Sequence, residues 1–410
     1  MCKMDPPHSG KDLSNTPAIP FATACANLPY DLFVWEILAR LSVKHLLIYK
    51  DISPCWCAAI DDAAFVRRHR EFSRESPPSM LIIPRKSSLE DDIELSEDII
   101  FHRLHIGRTL DTFEEEKVEL MLKKECPPGV EGITNKIFPM HCDGLVAIAT
   151  VNDQVFVCNP ATQELVALPR GTPDARIIKD PVAALGFDAS RNQYVVARYF
   201  YWHYDVDESI GVLDYEIGHE VFMLGGDSWE LTDCPPGVIV ATPPVFVQGA
   251  FYWGTCANDD LQSGVLLRFN LRERNFDMVP YPPEFVYHDH LADLNGKLCY
   301  VSSVSEPTYD VWQLEDDKIH QPKWSLRCRI DPVDEGLGVD AFFPIWAGAG
   351  RIMVAVDYEK LYWCEEKSGY MEEILEFEEE TDLDSEDYNC YRYHVVPYME
   401  SLISIRVCNH

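Results

Sequence analysis

Four stretches of this chain open on a glycine followed at once by an apolar run, and their spacing constrains the fold more than any other feature. They start at Gly144 ("GLVAIAT"), Gly249 ("GAFYWGTC"), Gly296 ("GKLCYVSS") and Gly350 ("GRIMVAVD"), at steps of 105, 47 and 54 residues. The first step is about twice the others, and "LGFDASRNQYVVARYF" with "VFMLGGDSWELTD" fits a further unit inside it. Another start is expected at "PYMESLISI", where Ser401 stands 51 residues past Gly350. Each unit reads as short strands rich in Val, Ile, Phe, Tyr and Trp, separated by Gly, Asn and Asp. Units of roughly 40–50 residues built from about four strands are the signature of propeller blades. A blade cannot bury both of its faces alone, so several must close into a ring. The last unit, with a strand expected in "LISIRV" (402–407), is cut short at His410, while strands expected at 80–84 and 99–106 stand unclaimed before the first full unit. The two ends are therefore expected to share one blade. The count is about six, with seven as the alternative, and a pair of β-sandwiches is the competing architecture that regular glycine spacing disfavours.

Ahead of the ring the texture differs. Residues 1–25 are polar and read as an unordered tail; 26–72 carry helical periodicity; 73–410 form the β region. The fold class is thus a small all-α module followed by an all-β propeller. Four helices are expected in "LPYDLFVWEILARL" (28–41), "SVKHLLIYKDIS" with Ser42 as N-cap, "SPCWCAAIDD" with Ser53 capping and Pro54 at the first position, and "DAAFVRRHREF". At about 100° per residue, Leu32, Phe33, Val34, Trp35, Ile37, Leu38 and Leu41 spread around almost the whole first helix, leaving Glu36 and Arg40 as a narrow polar strip. A surface helix usually shows one apolar stripe. This one needs two coverings, and so small a module buries too little surface to supply both.

Composition narrows the partners. Lys+Arg 35 against Asp+Glu 68 gives a formal charge of -33, which argues against nucleic acid. No apolar run reaches 18 residues, so no membrane span is expected, and the N-terminus lacks the apolar stretch of a signal peptide. The 14 cysteines include no CxxC pair, the closest spacing being Cys55-x-Cys57. Structural zinc is not expected, and the cysteines read as core residues of a reduced, intracellular protein, cytoplasmic and/or nuclear.

Candidates for chemistry are poor. "HCDG" (141–144) groups His, Cys and Asp, but adjacent strand residues face opposite ways, so it reads as a blade-entry turn. "YHDH" (287–290) offers His288 and His290 without a third ligand, and "EEETDLDSED" (378–387) lacks the glycine and glutamate of a calcium loop. No cofactor or metal is expected, and no GxSxG, P-loop or Rossmann fingerprint occurs. "RYFYWHYD" (198–205) is the most unusual stretch. Strict alternation puts Phe200, Trp202 and Tyr204 on one face, and Tyr199, Tyr201 and His203 on the other. A strand that stays in the sheet would bury both faces, which is the favoured expectation. One ending near Phe200 would expose Trp202, His203 and Tyr204 as a target-binding patch.

Residues 28–69 resemble an F-box. The matching features are Leu28-Pro29, Asp31-Leu32, Glu36-Ile37-Leu38, Arg40-Leu41, Val43-Lys44, Leu46-Leu47, Trp56 and the closing "FVRRH". Ser42, Ile48 and Pro54 depart from the pattern, standing where a proline, an arginine and a lysine are usual. "CDGLVAI", "VFVCNPATQELVALP" and "LGFDASRNQYVVAR" resemble the F-box-associated domains of plant F-box proteins, kelch-like propellers. The resemblance implies a non-catalytic substrate receptor of a Skp–cullin–F-box ubiquitin ligase. A Skp-type adaptor would bind the F-box and link it to cullin and RING subunits, and an unknown target protein would bind the propeller loops. Leu28, Pro29, Leu32, Ile37, Leu38, Leu41, Val43, Leu46, Leu47 and Trp56 would then be divided between adaptor contact and internal support. The other readings are a propeller enzyme or lectin with an incidental helical leader, and an adaptor-bound scaffold outside any ligase.

Overall fold

The computed structural model describes residues 32–76, 79–87, 98–105, 118–125, 139–150, 152–176, 183–207, 212–239, 242–255, 265–283, 290–305, 308–316, 322–331, 341–377 and 390–406. Its β region is six four-stranded antiparallel sheets. Blade one holds β4 (Met140–Cys142), β5 (Leu145–Ala149), β6 (Val155–Asn159) and β7 (Glu164–Ala167). Blade two holds β8 (Ala183–Asp188), β9 (Gln193–Asp207), β10 (Val212–Met223) and β11 (Glu230–Leu231). Blade three is β12 (Val245–Val247), β13 (Ala250–Gly254), β14 (Val265–Asn270) and β15 (Asn275–Pro280). Blade four is β16 (His290–Asp293), β17 (Leu298–Ser305), β18 (Thr308–Asp316) and β19 (Lys323–Ile330), and blade five β20 (Phe342–Gly348), β21 (Arg351–Val356), β22 (Lys360–Glu365) and β23 (Met371–Glu376). The sixth is shared: β24 (Cys390–Tyr398) lies beside β1 (Ser79–Ser87), β2 (Asp98–Leu104) and β3 (Val118–Glu125). The first strands of the blades touch in the cyclic order β4, β8, β12, β16, β20, β24 and back to β4, which closes the ring. Six blades and a blade shared by the two ends are as the repeat predicted.

The repeated glycines sit where the backbone demands them. Asp143-Gly144, Gln248-Gly249, Asn295-Gly296 and Ala349-Gly350 all have positive φ at both residues, with φ 49 and 83 in the first pair. Two consecutive positive φ values make the type I′ turn that suits a tight hairpin, here between the first and second strands of four blades. Blade two uses another device at this corner. Asp188 Oδ1 accepts the N–H groups of Ser190 (2.9 Å) and Arg191 (3.3 Å), so no glycine is needed, which is why that unit is cryptic in sequence.

Strand alternation builds the cores between blades. In β1, Met80 and Ile82 face blade five while Leu81 and Ile83 face blade one. Both faces are covered, so the strands read as continuous apolar runs. Cys158, Cys299 and Cys364 are buried among these residues, and desolvation pushes the Cys299 and Cys364 thiols up to about 12. The strand expected at 402–407 is absent over its described part. Residues 399–404 run without regular structure and 405–406 bend.

Candidate functional site

The helical module begins with a π-helical turn, Phe33–Ile37, and a 3₁₀ turn, Leu38–Arg40, in place of one regular α-helix. Three α-helices follow: α1 (Val43–Ile52), α2 (Pro54–Asp61) and α3 (Ala63–Glu75). Pro54 takes the first turn of α2 as expected, but neither the Ser42 nor the Ser53 side chain caps. Asp62 caps α3, its Oδ1 accepting the Ala64 N–H at 2.7 Å. Val34, Leu38, Ala39, Leu46, Ile60 and Phe65 form the module core, walled by Phe33, Trp35, Tyr49, Trp56 and Leu402. The polar strip closes on itself, with Arg40 donating to Glu36 at 2.7 Å and lying 3.8 Å over the Phe72 ring.

Among the residues expected to meet an adaptor, Leu38, Val43 and Leu46 are wholly buried. No partner can touch them, so within the expected division they fall to internal support. Leu41, Leu47 and Trp56 are half-buried, and Leu28 and Pro29 lie outside the described residues. Leu32 and Ile37 are exposed by 50% and 40%. Sequence reasoning missed Ile48 and Ile52, exposed by 52% and 65% and one turn apart on α1. The signal was the i, i+4 spacing, overlooked because Ile48 registered only as a departure from the F-box pattern.

The module is fixed to the disc at two points, and Lys44 of α1 adds an ion pair with Glu119 of β3 at 3.1 Å. Arg74 of α3 grips Asp143 with both ends of its guanidinium, Nε to Oδ1 at 2.9 Å and a terminal nitrogen to Oδ2 at 2.6 Å. Tyr194 also donates to Asp143 Oδ2 at 2.9 Å, and Arg70 donates to the Tyr194 hydroxyl at 3.0 Å while stacking on Phe187. The "HCDG" turn is therefore a blade-entry turn that also serves as a socket. Gly144 is required there, since a Cβ would sit 2.3 Å from the Met399 carbonyl oxygen. The second point is the segment misread as a strand. Leu402 enters the helical core while Ile403 and Ile405 enter the core between blades one and two. Beside it, Glu400 Oε2 accepts the Val43 N–H at 2.7 Å, capping α1 from another part of the chain, and its other oxygen pairs with Arg103.

A cavity of about 660 Å³ opens along the ring axis between Arg74 of α3, the hairpin turns at Gly144 and Gly296, and strands β4, β12, β16, β20 and β24. His141 and His290 line it, both held neutral by burial with pKa values near 4. Among the described residues no group of three or more His, Cys, Asp or Glu could hold a metal ion. His288 and residues 378–387 lie outside the described part of the chain.

The aromatic stretch departs from both sequence expectations. The strand does not stop near Phe200, since β9 runs to Asp207 paired with β10. Nor does the pairing bury it: Trp202 and Tyr204 are exposed by 48% and 39%, and His203 is exposed as well. The reason is cover. Among the described residues, partner β8 pairs with β9 no further than Ala183–Arg198, and no third strand lies beside β9 in the distal β9–β10 hairpin. Trp202 is an extra residue between the Tyr201–Ile217 and His203–Glu216 pairs, a bulge that shifts the alternation by one. Tyr204 accordingly packs on Tyr201 at 5.2 Å, while Trp202 packs on Phe200 at 4.8 Å over the bare backbone of Gly218.

Residues 113–336, more than half of the chain, match the F-box associated beta propeller domain family. The chain belongs to this family. The matched segment runs from just before β3 of the shared blade to just past β19 of blade four. Similarity to F-box proteins of Arabidopsis thaliana extends further. F-box protein At2g34280 is 26% identical over an alignment covering 92% of this chain and 99% of that protein. Putative F-box protein At5g15660 is 24% identical, covering 71% of this chain and 62%, less than two thirds, of the relative. Among solved structures, YjhT aligns with 60% of this F-box-associated chain and 84% of its own, at 11% identity and a TM-score of 0.41.

Proposed function

We propose that this chain is a substrate receptor of a Skp–cullin–F-box ubiquitin ligase, with its F-box in residues 26–72 and its propeller in 73–410. The F-box binds a Skp-type adaptor and, through it, cullin and RING subunits; the propeller binds the target, and the chain itself performs no bond chemistry. The observation that carries this reading is the apolar surface left on a module already fixed to its own disc: Leu32, Ile37, Ile48 and Ile52. Full burial of a large aliphatic side chain contributes roughly 1.5–3 kcal/mol, and these four retain about half of that. Their sum of about 3–6 kcal/mol only approaches the roughly 4–15 kcal/mol cost of association. Losing two of the four contacts removes about half of that contribution. Among the described residues no helix is long and apolar enough to cross a membrane, and the proposed site of action is the cytoplasm and/or nucleus.

Co-purification with a Skp-type adaptor tests the reading. The double change Leu32→Asp with Ile37→Asp keeps the native circular dichroism spectrum and weakens adaptor binding by at least about thirtyfold. Leu38→Asp, in contrast, melts the module, because it buries a charge with no partner. Undiminished adaptor binding by the Leu32/Ile37 variant, or none by the unaltered chain, overturns the assignment.

A further inference from the structure

We infer that the distal β9–β10 hairpin docks an extended, Lys/Arg-bearing segment of the target protein. This rests on the receptor reading and gives its target a chemistry. Position comes first. Tyr194, near the start of β9, is tied to Asp143 and Arg70 on the face of the disc that carries the helices. Ten residues further along, at roughly 3.3 Å each, Tyr204 lies about 30 Å away toward the opposite face. A partner seated there leaves the helical module clear.

Backbone pairing comes next. Beyond Tyr201, whose carbonyl oxygen accepts the Ala175 N–H at 2.9 Å, no third strand among the described residues bonds to β9. On the other edge β11 meets β10 only at Glu220 and Val221. Among the described residues the overhang is thus a two-stranded ribbon with no third strand on either edge, the geometry that accepts an added strand. Open edges are ordinarily protected by charge, and here every protecting group has one sign: Asp205, Asp214 and Glu216 are all exposed. Like-charged segments are repelled, a second copy of this chain among them. A segment with alternating cations is admitted, its basic groups reaching these carboxylates and the faces of Trp202 and Tyr204. The chain's own nearest guanidinium is already committed, because Arg176, 4.7 Å from the Tyr201 ring centroid, is gripped by Asp174 at 2.7 Å. His203 adds only a long contact of 3.6 Å to Asp214.

The test uses the full-length chain and two labelled decapeptides, one alternating Arg with Val and one alternating Glu with Val, read by fluorescence anisotropy. The Arg–Val peptide binds in a salt-sensitive manner and the Glu–Val peptide does not. Trp202→Ala with Tyr204→Ala weakens binding at least about tenfold. So does Asp205→Asn with Asp214→Asn and Glu216→Gln, although only three of 68 acidic residues have changed and the bulk charge is nearly intact. Equal affinity in either variant, equal binding of both peptides, or no binding of the Arg–Val peptide overturns the inference. Adaptor co-purification measured on the same variants separates the two proposals. Peptide binding that maps to the hairpin in a chain unable to bind adaptor removes the receptor reading alone. Adaptor binding with no hairpin-dependent peptide binding removes this one alone.

Discussion

His219 of β10 is enclosed by aromatic rings, with Phe269, Phe276 and Trp253 at 4.5, 5.0 and 5.6 Å between centroids. Its Nδ1 lies 2.6 Å from the Thr232 hydroxyl. Desolvation lowers its pKa to about 3, and in the same way those of His141 and His290 to about 4, so all three rings are neutral in the folded chain at neutral pH. An unfolded histidine takes up a proton near pH 6.5. The folded pKa is thus the lower one, and below pH 6.5 the unfolded state binds protons that the folded state refuses. Stability is lost as pH falls from 6.5 toward the folded values, at about 1.4 kcal/mol per pH unit for His219. The other two rings, partly open to the channel, act in the same sense with less weight. Asp293, raised to about 6 by desolvation, opposes them between about pH 4 and 6, but it faces channel water and weighs less still. The urea midpoint is therefore expected to drop between pH 7.5 and pH 5, and His219→Gln to flatten that drop. A pH profile identical in the variant would remove His219 as a source.

At the scale of elements, legibility depended on whether a pattern served one partner or two. The glycine pairs were readable because a type I′ turn leaves so few residues to choose from. The exposure of distal β9 was not, because it depends on which strand lies beside it rather than on its own aromatics, and among the described residues β8 pairs no further than Arg198. Nor could the pattern divide Leu38, Val43 and Leu46 from Leu32 and Ile37, since burial there depends on a turn of π-helix and on Leu402 arriving from the far end of the chain. The 402–407 segment shows the mechanism most plainly: its apolar residues feed two different cores, a pattern that a period-two reading takes for a strand. If the segment joins module to disc, Leu402→Asp should raise amide exchange across α1 to α3 while leaving β13, β14 and β21 protected. Glu400→Gln should do the same more mildly, costing about 1 kcal/mol through the uncharged, weaker cap of α1 and the Arg103 charge left without its carboxylate. Equal loss of protection in helices and blades would mean that the segment supports the whole fold rather than the joint.

At the scale of the whole molecule, the ring is closed by strand pairing between the two ends of its β region. Nine residue pairs, from Ser79–Tyr398 to Ser87–Cys390, join β24 to β1, and β24 occupies the innermost place of the sixth blade. Every blade buries one face on each neighbour, so removing β24 uncovers the core shared with blade five, strips β1 of its inner partner, and leaves an unpaired edge beside the axis. The same deletion takes away Glu400 and Leu402, so the step that opens the ring also removes one joint between module and disc and leaves the Arg74–Asp143 joint in place. A chain ending after Phe377 is therefore expected to lose the single cooperative thermal transition of the full chain and to bind a hydrophobic dye at room temperature. Adding a synthetic peptide of residues 386–410 should restore part of the transition, since the missing strand pairs through main-chain bonds and needs no covalent link to fill its place. A truncated chain that melts at the same temperature as the full one, with unchanged near-ultraviolet circular dichroism, would show that five blades and three strands of the sixth are sufficient, and that the joined ends are an ornament of the fold rather than its lock.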